Sequence, residues 1–299
     1  MASFFTEIAA NRLKSVAMLA IFFAFFMGIA YLFSYVFGLG IFGLGIGAAI
    51  IAVYAIFSYS AGDKLVLKLS HAIPAERSEY RTYYAAAEGM SAAMQVPMPK
   101  LYVIDDPNPN AFATGRNKKH ASIAATTGLL KMMDRRELEG VISHEMSHIA
   151  NNDILFMLIA VVFAGAIGIL AAFIRSIFFF GPIGDRGRNN GGFLVLIALA
   201  ISLLAPMFAI LLRLAISRRR EYMADANGAR ITRDPASLAS ALKKISTYSS
   251  APSAKPVKHA NDLTASLYFS NPFSKNSISN LFSTHPPINE RINRLEHMF

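Results

Sequence analysis

Residues 144–148 read His144-Glu145-Met146-Ser147-His148. Side chains at i and i+4 share a helix face, so two imidazoles at this spacing can point at one metal ion. Glu145, one position past the first histidine, can reach a water on that ion without being a ligand. Just upstream, Asp134 with Glu137 three residues on predicts a capping box that starts the helix, and Leu138, Val141, Ile142 and Ile149 supply a buried face. A pattern this short can arise by accident, so the flanking sequence must carry the argument.

The flanks are apolar to an unusual degree. Hydrophobic residues make up 54% of the 299 and charged residues 16%, with a mean hydropathy of +0.40; ordinary soluble domains carry about a quarter charged residues. Residues 15–62, 154–174 and 189–212 contain no charge at all. A membrane-spanning helix needs about 20 such residues. The first run accommodates two spans with Gly38-Leu39-Gly40 as the turn, so four spans are predicted, at about 15–37, 40–60, 154–176 and 192–214. For the last two a buried core helix stays open as an alternative, because Arg175 and Arg213 sit near their ends and Pro206 interrupts the fourth. The first run is too long for a cleaved signal peptide, and no polar cleavage region precedes the next.

The net charge of +10 follows the same layout. Arg12 and Lys14 precede the first span and Arg218, Arg219 and Arg220 follow the fourth, while Lys64, Lys68, Arg77, Arg81 and Lys100 lie between spans two and three. The turn between spans one and two has no charge. By the positive-inside rule both termini and residues 61–153 face the cytoplasm of an inner (plasma) membrane. Arg186 and Arg188 against Asp185 in the third loop are a mild violation. No basic patch carries groove-reading or stacking elements, so nucleic acid is not an expected partner. The absence of cysteine excludes disulfides and thiolate ligands and does not identify a compartment.

Two polar segments remain, 61–153 and 215–299, and the first alone would bury a thin core. They are expected to form one split cytoplasmic unit, between a membrane hairpin at 1–60 and a second at 154–214. Residues 80–95 read as a helix ending before Val96-Pro97-Met98-Pro99, residues 101–104 as a short strand, 105–110 as a turn cluster and 121–127 as a second strand. Asp234-Pro235 starts a helix over 234–247. Residues 249–283, rich in Ser, Asn, Pro and Lys, read as a long loop and a candidate flap over the site.

Two histidines and a water leave tetrahedral zinc one protein ligand short. One common solution puts glycine at 151 and a third histidine at 154, but those positions are Asn151 and Ile154. The other takes a carboxylate from a later helix. Glu221 and Asp225, again at i and i+4, directly follow the fourth apolar run. Glu221 then reads as the ligand and Asp225 as acceptor for a ligand histidine's free N–H. A solvated pair beside Arg218, Arg219 and Arg220 is the competing reading. For His144 and Glu221 to meet, an even number of crossings must separate them, and two apolar runs satisfy this as a span pair or as a hairpin that does not cross.

With these residues in view, the chain resembles the HtpX family of membrane-bound zinc metalloproteases, distantly related to the CAAX prenyl proteases. The resemblance covers essentially the whole chain. It rests on the paired N-terminal spans, Pro109-Asn110-Ala111-Phe112-Ala113-Thr114-Gly115, the motif at 144–151, Glu221-Tyr222-Met223-Ala224-Asp225, and Ser283-Thr284-His285-Pro286-Pro287 with Arg291 beyond. Asn152 stands where many members have glycine, outside the ligands. The family implies a mainly α membrane protein carrying a zincin-like α+β metalloprotease unit with a small sheet. It implies one zinc per chain on His144, His148 and Glu221 in the gluzincin manner, with Glu145 as general base. It also implies that Asn110, His285 and Arg291 lie near the substrate or the tetrahedral intermediate. By composition alone Asn110 is a turn residue, His285 a helix-start residue and Arg291 a surface charge. His71, His120, His259 and His297 read as surface residues.

The implied chemistry is peptide hydrolysis with no covalent intermediate. Zinc lowers the pKa of its water to about 7 and polarises the carbonyl. Glu145 moves the proton to the leaving amine, and His285 donates to the oxyanion. The strand at 121–127 is expected to pair its edge with an extended, loosely structured polypeptide. A membrane-anchored site of low sequence specificity suits stress-linked disposal of misfolded or damaged membrane proteins. A processing protease for a few defined substrates is the alternative. A non-proteolytic zinc-stabilised scaffold is disfavoured, because a structural site closes all four positions with protein ligands. Oligomeric state is not legible.

Overall fold

The computed structural model describes residues 4–36, 38–180, 218–251, 257–258, 264, 267–270 and 286–298. In chain order the helices are α1 (Phe4–Val36), α2 (Gly40–Leu69), α3 (Arg81–Met94), α4 (Thr127–Met132), α5 (Arg135–Ala150), α6 (Asp153–Phe180), α7 (Arg218–Thr232), α8 (Pro235–Ser250) and α9 (Ile288–Glu296). The strands are β1 (Ile73–Pro74), β2 (Lys100–Ile104), β3 (Ala111–Gly115) and β4 (Ala121–Thr126).

Helices α1 and α2 form the expected N-terminal hairpin. They touch where side chains vanish: a Cβ on Gly43 would fall 2.4 Å from Ser34 Oγ, and one on Gly47 2.4 Å from Ala30 Cβ. Small residues four apart let apolar helices approach without a hydrophobic driving force between them. Ser34 Oγ closes the turn by donating to the Gly40 carbonyl at 2.5 Å. Windows in α1, α2 and α6 are long and apolar enough to cross a membrane. They differ in surroundings, since 67% of the α6 window is buried inside the protein against 11% for each of the other two. The expected fourth span at 192–214, with Pro206 and Arg213, and the loop residues Asp185, Arg186 and Arg188 lie outside the described residues.

The sheet explains the burial of α6. Its strand order is β1-β2-β4-β3, with β2 and β4 parallel and the other pairs antiparallel. Alternate residues serve two cores, as the pleat requires. Ala111, Ala113, Ile123, Ala125 and Val103 pack with α3, α5 and α8. Phe112, Ala124 and Ile104 point the other way, into a core built from α1, α2 and α6. Phe22 of α1 stacks on Phe163 of α6 within that core, centroids 3.5 Å apart. One sheet is therefore packed on both faces, against α3, α5 and α8 on one and the apolar helices α1, α2 and α6 on the other.

Two sequence expectations change here. The strand at 121–127 does not offer an edge, because β4 is held by β2 on one side and β3 on the other. The edge on that side is β3, with the two-residue β1 at the opposite edge, and the residues of β3 follow a turn cluster with no polar alternation to announce a strand. The motif helix also buries more than one face. Leu138, Val141, Ile142 and Ile149 are in the core as predicted, but the buried residues run nearly without a break from Glu137 to Ala150. The capping box that starts α5 is present, with Glu137 N–H donating to Asp134 and Asp134 N–H to Glu137, each at 2.9 Å. Asp234 likewise caps α8 through the Ser237 N–H at 3.0 Å, and that helix runs to Ser250, past the expected loop start at 249; most of the expected loop and flap lies outside the described residues.

Candidate metal centre

Helix α5 brings the Nε2 atoms of His144 and His148 to 3.2 Å from each other. Helix α7 crosses it closely at Gly228, where a Cβ would sit 2.7 Å from Ser143 Oγ. Glu221 lies two turns earlier on the same side of α7, and its carboxylate oxygens come to 3.7 Å from His144 Nε2 and 3.5 Å from His148 Nε2. One ligand atom from each of the three residues falls within 4.8 Å of the others, and all three side chains are buried.

The donor chemistry fits a divalent cation. His144 Nδ1 lies 2.9 Å from Asp225 Oδ1, and His148 Nδ1 lies 3.0 Å from Asp153 Oδ2. A ring that donates Nδ1–H to a carboxylate presents a bare lone pair at Nε2. Two such lone pairs and a carboxylate facing one point need positive charge between them. Without a metal that charge is a proton. Burial alone would lower His148, yet Asp153 and Glu221 push it up to about 10. His144 goes the other way, lowered by burial despite Asp225. Burial would raise Glu221, but His148, His144 and Arg291 hold it well below the usual carboxylate range.

Behind each histidine stands a carboxylate, and behind Asp225 an arginine laid on a phenylalanine. Arg291 is 2% exposed and forks onto Asp225, Nε to Oδ2 at 2.8 Å and Nη2 to Oδ1 at 2.7 Å. Its Nη1 donates to the Phe269 carbonyl at 2.9 Å, and the guanidinium lies 4.6 Å from the Phe269 ring centroid. That ring also meets His144 edge-on. On the other arm, the Arg220 guanidinium lies 4.5 Å from the Phe156 centroid, one turn along α6 from Asp153. Burial lowers Arg220, while the charges of Asp153 and Glu221 resist that shift.

Glu145 is buried beside the donors. Burial pushes its carboxyl up to about 7, with Glu221 adding to the shift and His148, Arg291 and the Ala113 N–H opposing it. Ala113 is on the outer edge of β3. That edge is identified by the ladder: the Thr126 N–H takes the Asn110 carbonyl, so residues 111, 113 and 115 turn their backbone groups away from β4.

The expected site residues are thus mostly brought together, with two differences in what they touch. Asn110 spends its amide on backbone groups, Nδ2 donating to the Ser270 carbonyl at 2.9 Å and Oδ1 accepting the Ser270 and Ala111 N–H groups, each at 3.1 Å. It fastens residues 267–270 to the start of β3, where the Phe269 N–H also donates to the Ala111 carbonyl at 2.7 Å. Arg291 grips Asp225 from the core and is no surface charge. His285 and His259 lie outside the described residues, and His71, His120 and His297 are exposed. Asp153, Arg220 and Phe269 were not anticipated. Asp153 had one signal, a lone carboxylate at the mouth of an apolar run; the others had none. Asn152 has φ +57°, a left-handed conformation in which glycine is unstrained and asparagine is the next most tolerant residue.

A buried His-Glu-x-x-His helix, a third donor from a later helix and membrane-length apolar helices define a membrane metalloprotease. Residues 80–299 match peptidase family M48. A protein named Protease HtpX homolog from Caldanaerobacter subterraneus is 44% identical over 295 residues, covering 97% of this chain and 96% of its own. A homolog of the same name from Streptococcus agalactiae is 40% identical over 299 residues, covering 98% and 99%. The crystal structure of S. mikatae Ste24p shares the fold, with a TM-score of 0.51 at 20% identity over 98% of this chain and 67% of that one. The chain belongs to peptidase family M48, among its HtpX homologues.

Proposed function

We propose that this protein is a zinc endopeptidase of the gluzincin type, cutting misfolded or damaged membrane polypeptides at a cytoplasm-facing site in the inner membrane. The observation that carries the reading is the set of three converging donors with both histidine Nδ1 atoms committed to carboxylates. His144, His148 and Glu221 would hold the ion. Bound zinc supplies Lewis acidity, activating water and polarising the scissile carbonyl. Glu145, buried and poised near neutrality, accepts the water proton and returns it to the leaving amine.

The substrate-pairing edge is reassigned from β4 to β3. The Ala113 carbonyl faces outward beside Glu145, whereas the Ala111 carbonyl is already taken by Phe269. Backbone pairing there favours extended, loosely structured chains over a defined sequence. A membrane clientele is supported by distance. Gly62, where the charge-free run of α2 ends, packs on Leu158 and Val162 of α6. Asp153, which holds His148, is nine residues before Val162, about 14 Å along the helix. The cytoplasmic orientation is supported by Lys64, Lys68 and Arg218 to Arg220 on the catalytic side, against an uncharged α1–α2 turn.

The test is Glu145→Gln in detergent-solubilised protein, with zinc content measured beside casein cleavage. Zinc should be retained and cleavage fall by about 10²–10⁴-fold. Glu221→Ala should lose the metal itself. Cleavage that survives Glu145→Gln overturns the assignment.

A further inference from the structure

The hairpin between β3 and β4 carries Arg116-Asn117-Lys118-Lys119-His120, and no carboxylate occurs between Asp106 and Asp134. Its shape is fixed: the Asn117 side chain accepts the backbone N–H groups of Lys119 and His120, at 3.0 and 3.1 Å, closing a 3-10 turn. Lys119 and His120 are exposed and Lys118 partly so. Nothing in the catalytic chemistry uses these cations.

What they do have is a depth. Arg116 Nη1 donates to the Ser60 carbonyl of α2 at 3.1 Å, and its guanidinium lies 5.9 Å from the centroid of Tyr59. Ser60 sits in the last turn of the charge-free run, two residues before Gly62, and Tyr59 is a half-exposed aromatic at the same level. Tyrosine at the end of a span marks the headgroup region. Lys64 and Lys68 follow on exposed positions of α2. Asp63 is the one carboxylate in that stretch. Among the described residues, none of Lys64, Lys68, Lys118 and Lys119 pairs with a carboxylate. Unpaired cations at headgroup depth, on a turn with no competing acid, match the negative surface of a bilayer containing anionic lipid.

We propose that the 116–120 hairpin, with Lys64 and Lys68, docks on anionic lipid headgroups and so sets the height of the β3 edge above the membrane. The inference rests on membrane residence and is independent of the catalytic assignment.

The chain has no cysteine, so His120→Cys carries a single bimane label in the 299-residue chain. The label is read in nanodiscs of phosphatidylcholine alone or mixed with phosphatidylglycerol, each doped with a headgroup-nitroxide lipid. Quenching should be about two-fold or more stronger with phosphatidylglycerol, and high salt should abolish the difference. Adding Lys118→Gln and Lys119→Gln should cut the phosphatidylglycerol effect by about half or more, with the thermal midpoint unchanged. Equal quenching in the two lipids means a solvated hairpin and overturns the proposal. So does a phosphatidylglycerol effect that the double substitution leaves undiminished.

Discussion

The two arms that hold the histidines are chemically alike and built in opposite ways. His148 is held by Asp153, five residues on, and Asp153 is delivered by a two-residue turn between α5 and α6. His144 is held by Asp225, 81 residues away on α7, which is gripped by Arg291 from α9. Backbone geometry secures the first arm as soon as the helices form. The second exists only after three remote segments dock. Damage to the local arm should therefore weaken metal binding alone, while damage to the remote arm should also weaken the fold.

The largest effect is expected from Asp225→Ala. It strips His144 of its acceptor and leaves Arg291, 2% exposed, with its charge unmatched. Breaking a buried pair this way costs about 3–5 kcal/mol, visible as a large fall in the denaturant midpoint. Combining it with Arg291→Leu should recover part of that loss and none of the metal affinity. If the single and double variants unfold alike, the remote arm is not coupled as described.

Asp153→Asn should spare the midpoint by comparison and weaken zinc about 10–100-fold, measured by chelator competition. A loss of stability equal to that of Asp225→Ala would erase the contrast between the arms.

Glu145 lies between them and gives a pH signature. Its folded pKa is raised from the ordinary carboxylate value to about 7. Its contribution to stability is therefore fully present below the unfolded value and is lost as pH rises through about 7. Activity needs the ionised base, so it runs the opposite way. The acid limb of kcat/KM should fall at or below pH 7, since a bound metal favours the carboxylate. In metal-free protein Glu145→Gln should raise the midpoint at pH 8, by up to about 3 kcal/mol, and change little at pH 4. Equal stabilisation at both would show that the buried carboxylate is not the cause.

The smallest effect concerns the local turn. Asn152→Gly should be neutral or slightly stabilising, whereas Asn152→Val should cost about 1–2 kcal/mol at its left-handed backbone position. A neutral valine would mean the turn is not what places Asp153.

Much of this was legible in the residues. The capping box at Asp134, the helix ended by Gln95 and the cap at Asp234 are written in contiguous positions and appear where expected. The sites of error are non-local. β3 lacks alternation because both of its faces are buried, so neither its existence nor its place at the sheet edge could be read. That Arg291 would lie buried on Asp225 was likewise hidden, because that partner is 66 residues earlier.

Hydropathy, helix period and capping are properties of neighbouring residues, and the sequence by itself determined what depends on them: the apolar helices, the motif helix and the pairing of His144 with His148 on one face. Which surfaces meet after the chain closes is a property of no segment. Tertiary structure alone decided that α6 is enclosed rather than lipid-facing on most of its surface, and that β3 rather than β4 is the open edge. It also set Asp153 behind His148 and Arg291 behind Asp225, because those charges could be buried only where docking supplied their partners.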